Sequence, residues 1–308
     1  MEYVYFFGAG EADGSEELKD ILGGKGANLG EMTSIGIPVP AGFTLSAEVC
    51  QYYYRHDETY PEGLRESVDE NLRKLEEVNG REFGDPEDPL LLSVRSGAAV
   101  SMPGMMDTVL NVGLNEDTLE GLVDRTGNPR FGWDSYRRLI QMYGEVVKGI
   151  DAREFDVALE DIKEEKGADT DTDLTVDDLK DVVAKFKEIY EENLGEKFPT
   201  DPMEQLWGAI DAVFGSWNNP RAIKYRELND LPHDALGTAV NVQTMVFGNT
   251  GEDSATGVAF TRNPSTGEKK RYGEYLKNAQ GEDVVAGVRT PKDIKTLKDE
   301  MPEAWDEL

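Results

Sequence analysis

The sequence predicts an α+β protein with three successive parts of different character. Over residues 1–113, short β-branched and aromatic runs alternate with helical patterns. Residues 114–200 show helical periodicity almost throughout, and the chain after about 241 has β-branched runs separated by Gly and Asn turns. We therefore expect a first α/β subdomain over 1–113 plus about 201–240, a helical insertion over 114–200, and a β-rich second subdomain over 241–308.

The first part should begin with a strand, VYFFGAG, that runs into a turn. A helix from about Lys25 to Ser34 follows and ends at GIPVP, because proline cannot continue a helix. FTLS is predicted as a short strand and Glu48 to Tyr54 as the start of another helix. The run LLLSVR at 90–95 is typical of a buried strand.

The helical part contains two strongly amphipathic stretches, FGWDSYRRLIQMYGEVV and LTVDDLKDVVAKFKEIYEENL, and PMEQLWGAIDAVFGSW predicts a further helix. In the last part, TAVNVQTMVFG and GVAFTRN are predicted strands joined by the turn-like GNTGEDSATG. NPSTGE predicts a second turn before KKRYGEYL.

The chain is strongly acidic: 308 residues contain 62 Asp and Glu against 32 Lys and Arg, so the net charge is 32 − 62 = −30. This charge argues against binding to nucleic acid or to anionic membrane surfaces, both of which need a basic patch. The sequence has no 18-residue apolar run and no basic N-terminal region typical of a signal peptide, so we expect a cytoplasmic protein. Residues 151–200 carry −10 of this charge, and the other −20 is spread through the remainder, which favours a halophilic surface adaptation over a binding patch.

The acidic ADTDTD segment resembles the start of a calcium-binding loop, since Asp169, Asp171 and Asp173 have the first ligand spacings. Leu174 stands where that loop needs Gly, and Lys180 stands where it needs Glu. We therefore interpret the segment as a solvated loop between helices.

The glycine-rich GGKG at 23–26 precedes a predicted helix, where free backbone N–H groups and Lys25 would suit an anion. It matches neither standard phosphate fingerprint, because Gly26 replaces the Ser or Thr of the P-loop and Gly30 comes one residue too late for the dinucleotide motif. A plain glycine turn and a phosphate site are equally compatible with this pattern.

The stretch SVRSGAAVSMPGMMDTVLNVG at 93–113 favours a functional site. Arg95 ends a buried strand beside small residues, where a guanidinium can bind phosphate with two hydrogen bonds. Met102, Met105 and Met106 could belong to the core, but methionines in a Gly/Pro loop better fit a mobile cover.

A second polar group gathers in YGEYLKNAQGEDVVAGVRT, with Glu274, Gln280, Glu282 and Asp283 ahead of Arg289. Mg²⁺ in phosphate-binding sites takes one or two carboxylate or amide oxygens plus substrate phosphates, which this group could supply. Spacing alone does not choose Glu274 over Glu282.

The sequence offers few candidates for a catalytic nucleophile. His56 and His233 lie in polar, turn-like contexts where solvated side chains are expected, and no Ser or Cys nucleophile motif is present. Cys50 is the single cysteine, so the chain can form neither an internal disulfide nor a thiolate metal cage.

Six strings together resemble the N-terminal nucleotide-binding domain of the pyruvate phosphate dikinase family, which is related to phosphoenolpyruvate synthase. The similarity runs in order from about Tyr5 to Leu308. The strings are GGKGANLGEM, SVRSGAAVSMPGMMDTVLN, NNPRAIKYRELN, VQTMVFGN, SATGVAFTRNPSTGE and GEYLKNAQGEDVVAGVRTP.

This resemblance implies an ATP-grasp-like fold in which two α/β subdomains clamp ATP and a helical subdomain is inserted into the first. It implies that Lys25 and Arg95 bind the ATP phosphates, and that the 96–108 loop covers them. The remaining implied contacts are Gln243, Met245 and Val246 on the adenine side, Glu274 and Gln280 as Mg²⁺ ligands, and Arg289, which with Arg95 would act on the transferring phosphates.

The family reaction converts ATP, pyruvate and phosphate into AMP, phosphoenolpyruvate and pyrophosphate. It uses a phosphohistidine carrier domain and a pyruvate-binding barrel. Neither is found in this sequence, so we expect the chain to be the N-terminal part of a larger enzyme that binds Mg·ATP without completing turnover. The alternatives are a fragment of a phosphoenolpyruvate synthase-like kinase and a non-catalytic ATP-binding or regulatory module.

Overall fold

Helices and antiparallel sheets together make up the protein, in a computed structural model that describes residues 2–231, 237–286 and 289–308. The predicted α+β class is confirmed. The chain divides into two compact units, Met1–Met245 and Val246–Leu308. The finer division into two subdomains and a helical insertion stays a prediction.

A six-stranded sheet organises the first unit, in the order β2-β1-β3-β6-β4-β5 with every neighbouring pair antiparallel. The predicted strands at VYFFGAG, FTLS, LLLSVR and TAVNVQT are confirmed, whereas β2 and β5 had no assignment from the sequence. The strands are β1 Val4–Gly8, β2 Glu11–Ala12, β3 Gly42–Leu45, β4 Leu92–Gly97, β5 Thr108–Val112 and β6 Ala239–Thr244.

Most helices of this unit follow the predicted helical patterns, but Leu64–Asn79 and Pro220–Leu228 had no assignment from the sequence. Two predicted boundaries are corrected. The first helix begins at Lys19 instead of Lys25 and contains a break at Gly23, and the strand β6 ends at Thr244, before Met245 and Val246. The helices are α1 Lys19–Ser34, α2 Ala47–Arg55, α3 Leu64–Asn79, α4 Glu116–Thr126, α5 Pro129–Met142, a π-helical turn Tyr143–Val147, α6 Ala152–Lys166, α7 Val176–Leu194, α8 Pro202–Gly215 and α9 Pro220–Leu228. No helix within the described ranges is both long and apolar enough to cross a membrane.

The central strand β6 gives the sheet two different faces, because successive side chains of a strand point to opposite sides. On one face Val240 and Val242 are fully buried, and Thr244 is hydrogen-bonded by Asn79 of α3 at 3.1 Å. On the other face Asn241 and Gln243 are also buried, although both are polar. Helix α1 packs on this polar face, where the candidate site lies.

The acidic loop at 169–173 forms ion pairs with two helices of the first unit, α5 and α6. Arg137 donates to Asp134 at 2.9 Å and to Asp171 at 2.7 Å, and Lys163 contacts Asp171 at 3.2 Å. Asp134 is also paired with Arg138 at 3.0 Å. Asp171 thus joins helices α5 and α6 by binding protein cations.

The second unit is built on a three-stranded antiparallel sheet in the order β7-β8-β9. Its core contains Tyr275, Ile294 and Leu297, with Trp305 packed against it. The predicted strands GVAFTRN and YGEYL are confirmed. The elements are β7 Ala255–Phe260, β8 Tyr272–Lys277, α10 Gly281–Ala286, β9 Lys292–Asp293, α11 Leu297–Glu300 and α12 Pro302–Glu307.

The buried Asp134 cluster generates a stability prediction. Burial alone would raise the pKa of Asp134, but Arg137, Arg138 and Arg130 outweigh it and lower that pKa to about 2. Because the folded pKa lies below the unfolded one of about 3.9, this stabilisation is complete above about pH 4 and is lost as the pH falls towards 2. Asp134→Asn should lower the free energy of unfolding at pH 7 by about 3 kcal/mol, since it leaves buried guanidinium groups without their charge partner.

Urea denaturation at pH 7 and at pH 3 measures this effect. The control is Asp177→Asn, which removes an exposed pair with Lys180 at 3.0 Å and should cost less than about 1 kcal/mol. Equal destabilisation by the two variants would contradict the prediction.

Candidate functional site

Helix α1 is interrupted at Gly23, which has φ 69° and ψ 170°. A Cβ atom on this residue would lie 1.5 Å from the carbonyl oxygen of Gly97, so only glycine fits here. The next residue, Gly24, donates its N–H to the carbonyl of Ala98 at 2.9 Å. The break therefore brings the start of a helical segment, 24–34, directly against the end of β4.

The residues after the break fix Lys25 above the sheet. A Cβ atom on Gly26 would lie 2.8 Å from Thr44 and 3.0 Å from the Asn241 amide, so glycine allows the helix to touch the strands. Thr44 and Asn241 are joined by a buried hydrogen bond of 2.9 Å. Lys25 extends from this contact and donates from Nζ to the carbonyl of Ser96 at 2.7 Å.

Arg95 lies on β4, beside Asn241 of β6 and Thr108 of β5, on the same polar face. It is half-buried, and desolvation lowers its pKa. Desolvation followed by the nearby charge of Arg95 lowers the pKa of Lys25. Among the described residues, neither cation forms an ion pair with a carboxylate. Two adjacent, partly desolvated cations without an acid partner form a site that an anion would stabilise.

Gln243 lies on this face too. It pairs with Ser93 of β4, two residues before Arg95. Its side chain is buried, and Nε2 donates to the carbonyl of Pro40 at 2.9 Å, so that amide hydrogen is already used within the protein. Met245 follows the strand and is held through its backbone N–H by Leu91 at 2.9 Å. Val246 is 69% exposed.

The loop after β4 contains the methionine cluster. Met102 is buried, while Met105 and Met106 are half-buried, so the cluster is partly core and partly surface. Helix α9 holds the far end of the loop: Arg221 forms an ion pair with Asp107, and Asn219 donates to Asp107 at 2.8 Å. Sequence reasoning missed these contacts because they join residues more than a hundred positions apart.

In the second unit, Glu274 lies on β8 and its side chain is exposed. Gln280 is buried at the start of α10, and among the described residues its Oε1 and Nε2 have no hydrogen-bond partner. Arg289 donates to the carbonyls of Asn278 at 2.9 Å and Lys277 at 3.0 Å, so it lies beside the turn that leads to Gln280. The Glu282 side chain falls outside the described part of the chain.

His56 takes no part in either group. His56 is exposed, stacks on Tyr52 with 3.8 Å between ring centroids, and has Nδ1 at 2.9 Å from the Tyr52 carbonyl oxygen. His233 lies outside the described residues. The solvated position expected for His56 agrees with its exposure.

Comparison with known proteins places these features in a family. A family model described as "Pyruvate phosphate dikinase, AMP/ATP-binding domain" matches residues 19–81 and 57–306. The chain is 57% identical over 305 residues to pyruvate, phosphate dikinase of Clostridium symbiosum, covering 99% of this chain and 34% of that protein. It is 56% identical over 319 residues to the Rhizobium meliloti (strain 1021) enzyme, covering 100% and 35%. It is 58% identical over 305 residues to the chloroplastic dikinase 1 of Oryza sativa subsp. japonica, covering 99% and 32%. The chain thus spans about a third of the length of these curated relatives.

The break in α1 generates the prediction for this site. Gly23→Ala should lower the free energy of unfolding by roughly 3 kcal/mol or more, because the added methyl meets the Gly97 carbonyl in addition to the cost of a positive φ. Gly10→Ala is the matched control, since Gly10 has φ 83° but no heavy atom within 4 Å of an added Cβ. It should cost only about 1 kcal/mol. Urea denaturation compares the two variants, and a Gly23→Ala effect no larger than the control would show that the close approach is absent.

Proposed function

Since the chain belongs to the pyruvate phosphate dikinase AMP/ATP-binding domain family, we propose that it binds ATP with the triphosphate on Lys25 and Arg95. One observation carries this proposal: the two cations lie together, and neither is paired with a carboxylate of the described residues, in a protein of net charge −30. Polyphosphate is a ligand that matches adjacent cations, and Arg95 can bind it with two parallel hydrogen bonds.

The electrostatic argument favours phosphate over a neutral ligand. Desolvation disfavours the charged forms of both side chains, the charge of Arg95 further disfavours that of Lys25, and an anion between them would relieve this repulsion. The N-terminal end of the 24–34 helical segment adds positive potential of its own. We infer that the −30 charge belongs to the solvated surface, as a halophilic adaptation, and that the site is a local positive region within it.

We infer further that the fold is ATP-grasp-like, with an adenine side formed by Gln243, Met245 and Val246. The exposed Val246 side chain is suited to contact with a base. Since the Nε2 of Gln243 is bound to Pro40, this residue would act through its Oε1 or by shaping the floor of the site.

Glu274 and Gln280 are the proposed Mg²⁺ ligands. Gln280 offers a buried amide without a partner among the described residues, which is an arrangement that a ligand would stabilise. Glu274 pairs with Val258 across β7 and β8 and so shares a face with Thr256, whose hydroxyl donates to the carbonyl of Ala279, next to Gln280, at 2.7 Å. Mg²⁺ would neutralise phosphate charge, and Arg289 beside this turn would bind the terminal phosphates.

The complete reaction that we propose, from the resemblance to the pyruvate phosphate dikinase family, is conversion of ATP, pyruvate and phosphate into AMP, phosphoenolpyruvate and pyrophosphate. In it, this chain would bind ATP and align the transferring phosphoryl group with a carrier histidine on another domain. Lys25, Arg95 and Arg289 would stabilise the charge that develops on the phosphates. Pyruvate would bind elsewhere, on a barrel domain.

ATP binding is tested by thermal unfolding. Mg·ATP at about 100 times its Kd should stabilise the folded chain by about 2.7 kcal/mol and raise its melting temperature by about 5 °C. Arg95→Ala should remove most of this rise, because it removes the bidentate phosphate contact. The control is Arg153→Ala, which breaks only an exposed pair with Asp151 and should leave the rise intact. Failure of millimolar Mg·ATP to raise the melting temperature of the unchanged chain would refute the proposal.

The metal assignment makes a separate prediction. The double variant Glu274→Ala/Gln280→Ala should lose the extra stabilisation that Mg²⁺ adds to ATP, because no side-chain carboxylate or amide oxygen is left at these positions. Melting temperatures with ATP in Mg²⁺ and in EDTA measure this difference. Glu303→Gln on α12 is the exposed control within the same unit. A full Mg²⁺ effect in the double variant would show that other residues bind the metal.

A further inference from the structure

Residues 98–107, here called the methionine loop, are held by three side chains of helix α9 and its N-cap residue. Arg221 forms an ion pair with Asp107 and donates from Nε to the carbonyl of Met105 at 3.1 Å. Asn219 donates to the second oxygen of Asp107 at 2.8 Å. Tyr225, one turn further along α9, places its hydroxyl 3.4 Å from the carbonyl of Ser101. We call the side chains of Asn219, Arg221 and Tyr225 the α9 latch.

The latch holds the loop next to Arg95. Asp107 directly precedes Thr108, the residue paired with Arg95 in the sheet, and its carbonyl accepts the N–H of Ser96 at 3.4 Å. A shift of Asp107 would therefore be transmitted to the residues around the Arg95 strand end. Only 13% of the Asp107 side chain is exposed, so its two hydrogen-bonded partners are held in a largely desolvated position.

The beginning of the loop is fixed independently. The Gly97 N–H donates to the Thr238 hydroxyl at 3.1 Å, and the Ala98 carbonyl accepts from Gly24 at 2.9 Å. Between the two anchors the exposure is mixed: Val100 is 49% exposed and Gly104 is exposed with φ 70°, whereas Met102 is buried. The loop is thus fixed at both ends and partly exposed between them.

Space lies on the outer side of the latch. A cavity of about 540 Å³ is lined by Asp107, Asn219 and Arg221 together with Glu145 and Val146 of the π-helical turn. Arg221 is 53% exposed, so the pair can open into this space without displacing core side chains. The geometry suits a contact that sets the position of the loop end and that can be broken at small cost to the fold.

We propose that Asp107, held by Arg221 and Asn219, is a positioning residue that sets the methionine loop over the phosphates of bound ATP. Asp107 touches no phosphate in this role; it acts through the loop backbone. The inference rests on the proposed ATP-binding function and extends it by assigning a role to the helix α9 string NNPRAIKYRELN, which sequence analysis left without one.

The test compares Asp107→Asn, Arg221→Gln and the double variant with the unchanged chain. The Kd for Mg·ATP, measured by isothermal titration, should rise about fivefold in each single variant, as expected for loss of one partly exposed charge pair. The double variant should show about the same fivefold change, because both substitutions remove the same contact. The Kd for adenosine, which has no phosphates, should stay unchanged. Hydrogen exchange of the 98–107 amides without ATP should be faster in all three variants.

Glu227→Gln is the matched control, since Glu227 lies on the same helix and pairs with Lys224 at 3.1 Å on the surface. It should leave both affinities and the exchange unchanged. Equal losses for ATP and adenosine, or an unchanged ATP affinity in Asp107→Asn beside a lost one in Arg95→Ala, would overturn the positioning role alone. Absence of ATP binding by the unchanged chain would overturn the proposed function together with this role.

Discussion

The close approach of helix α1 to the end of strand β4 is the constraint on which the candidate site depends. Gly23 makes it possible by adopting a conformation without a side chain against the Gly97 carbonyl, and Gly24 closes it with a hydrogen bond to Ala98. This contact brings Lys25 beside Arg95, and within the described ranges neither cation forms an ion pair with a carboxylate. The two like charges stay close together because the surrounding strands fix the backbone. Such an arrangement is typical of sites shaped for a ligand.

The polar face of the sheet is the second feature on which the candidate site depends. A buried central strand usually has apolar residues on both faces, but β6 places Asn241 and Gln243 opposite its valines. Their hydrogen bonds to Thr44 and Pro40 offset the cost of burying polar groups. The face can therefore carry Arg95 within the protein, while the acidic surface elsewhere contributes a long-range field that salt screens.

Local sequence patterns were sufficient for most elements, because apolar periodicity reports directly which face of a helix or strand is buried. Most strands of the two sheets and the helices between 114 and 200 were predicted in this way, whereas β2, β5 and β9 were not. The break at Gly23 was not, since it depends on the Gly97 carbonyl, which is distant in sequence. The role of α9 was missed for the same reason: Arg221 and Asp107 are ordinary surface residue types until the fold brings them together. The spacing of ADTDTD suggested calcium ligands that Leu174 and Lys180 argued against, and the structure shows Asp171 paired with Arg137 and Lys163.

The sequence by itself determined the family, through long strings such as SMPGMMDT, and the residue types that could bind phosphate. It also determined that the protein is acidic, with 32 Lys and Arg against 62 Asp and Glu. The tertiary structure decided which of these residues lie together and which are already used. It placed Lys25 beside Arg95, bound the Gln243 amide to Pro40, and buried Gln280 without a partner among the described residues. The physical reason is that charge, desolvation and hydrogen bonding act over a few ångströms in space, whereas sequence patterns record neighbours only along the chain.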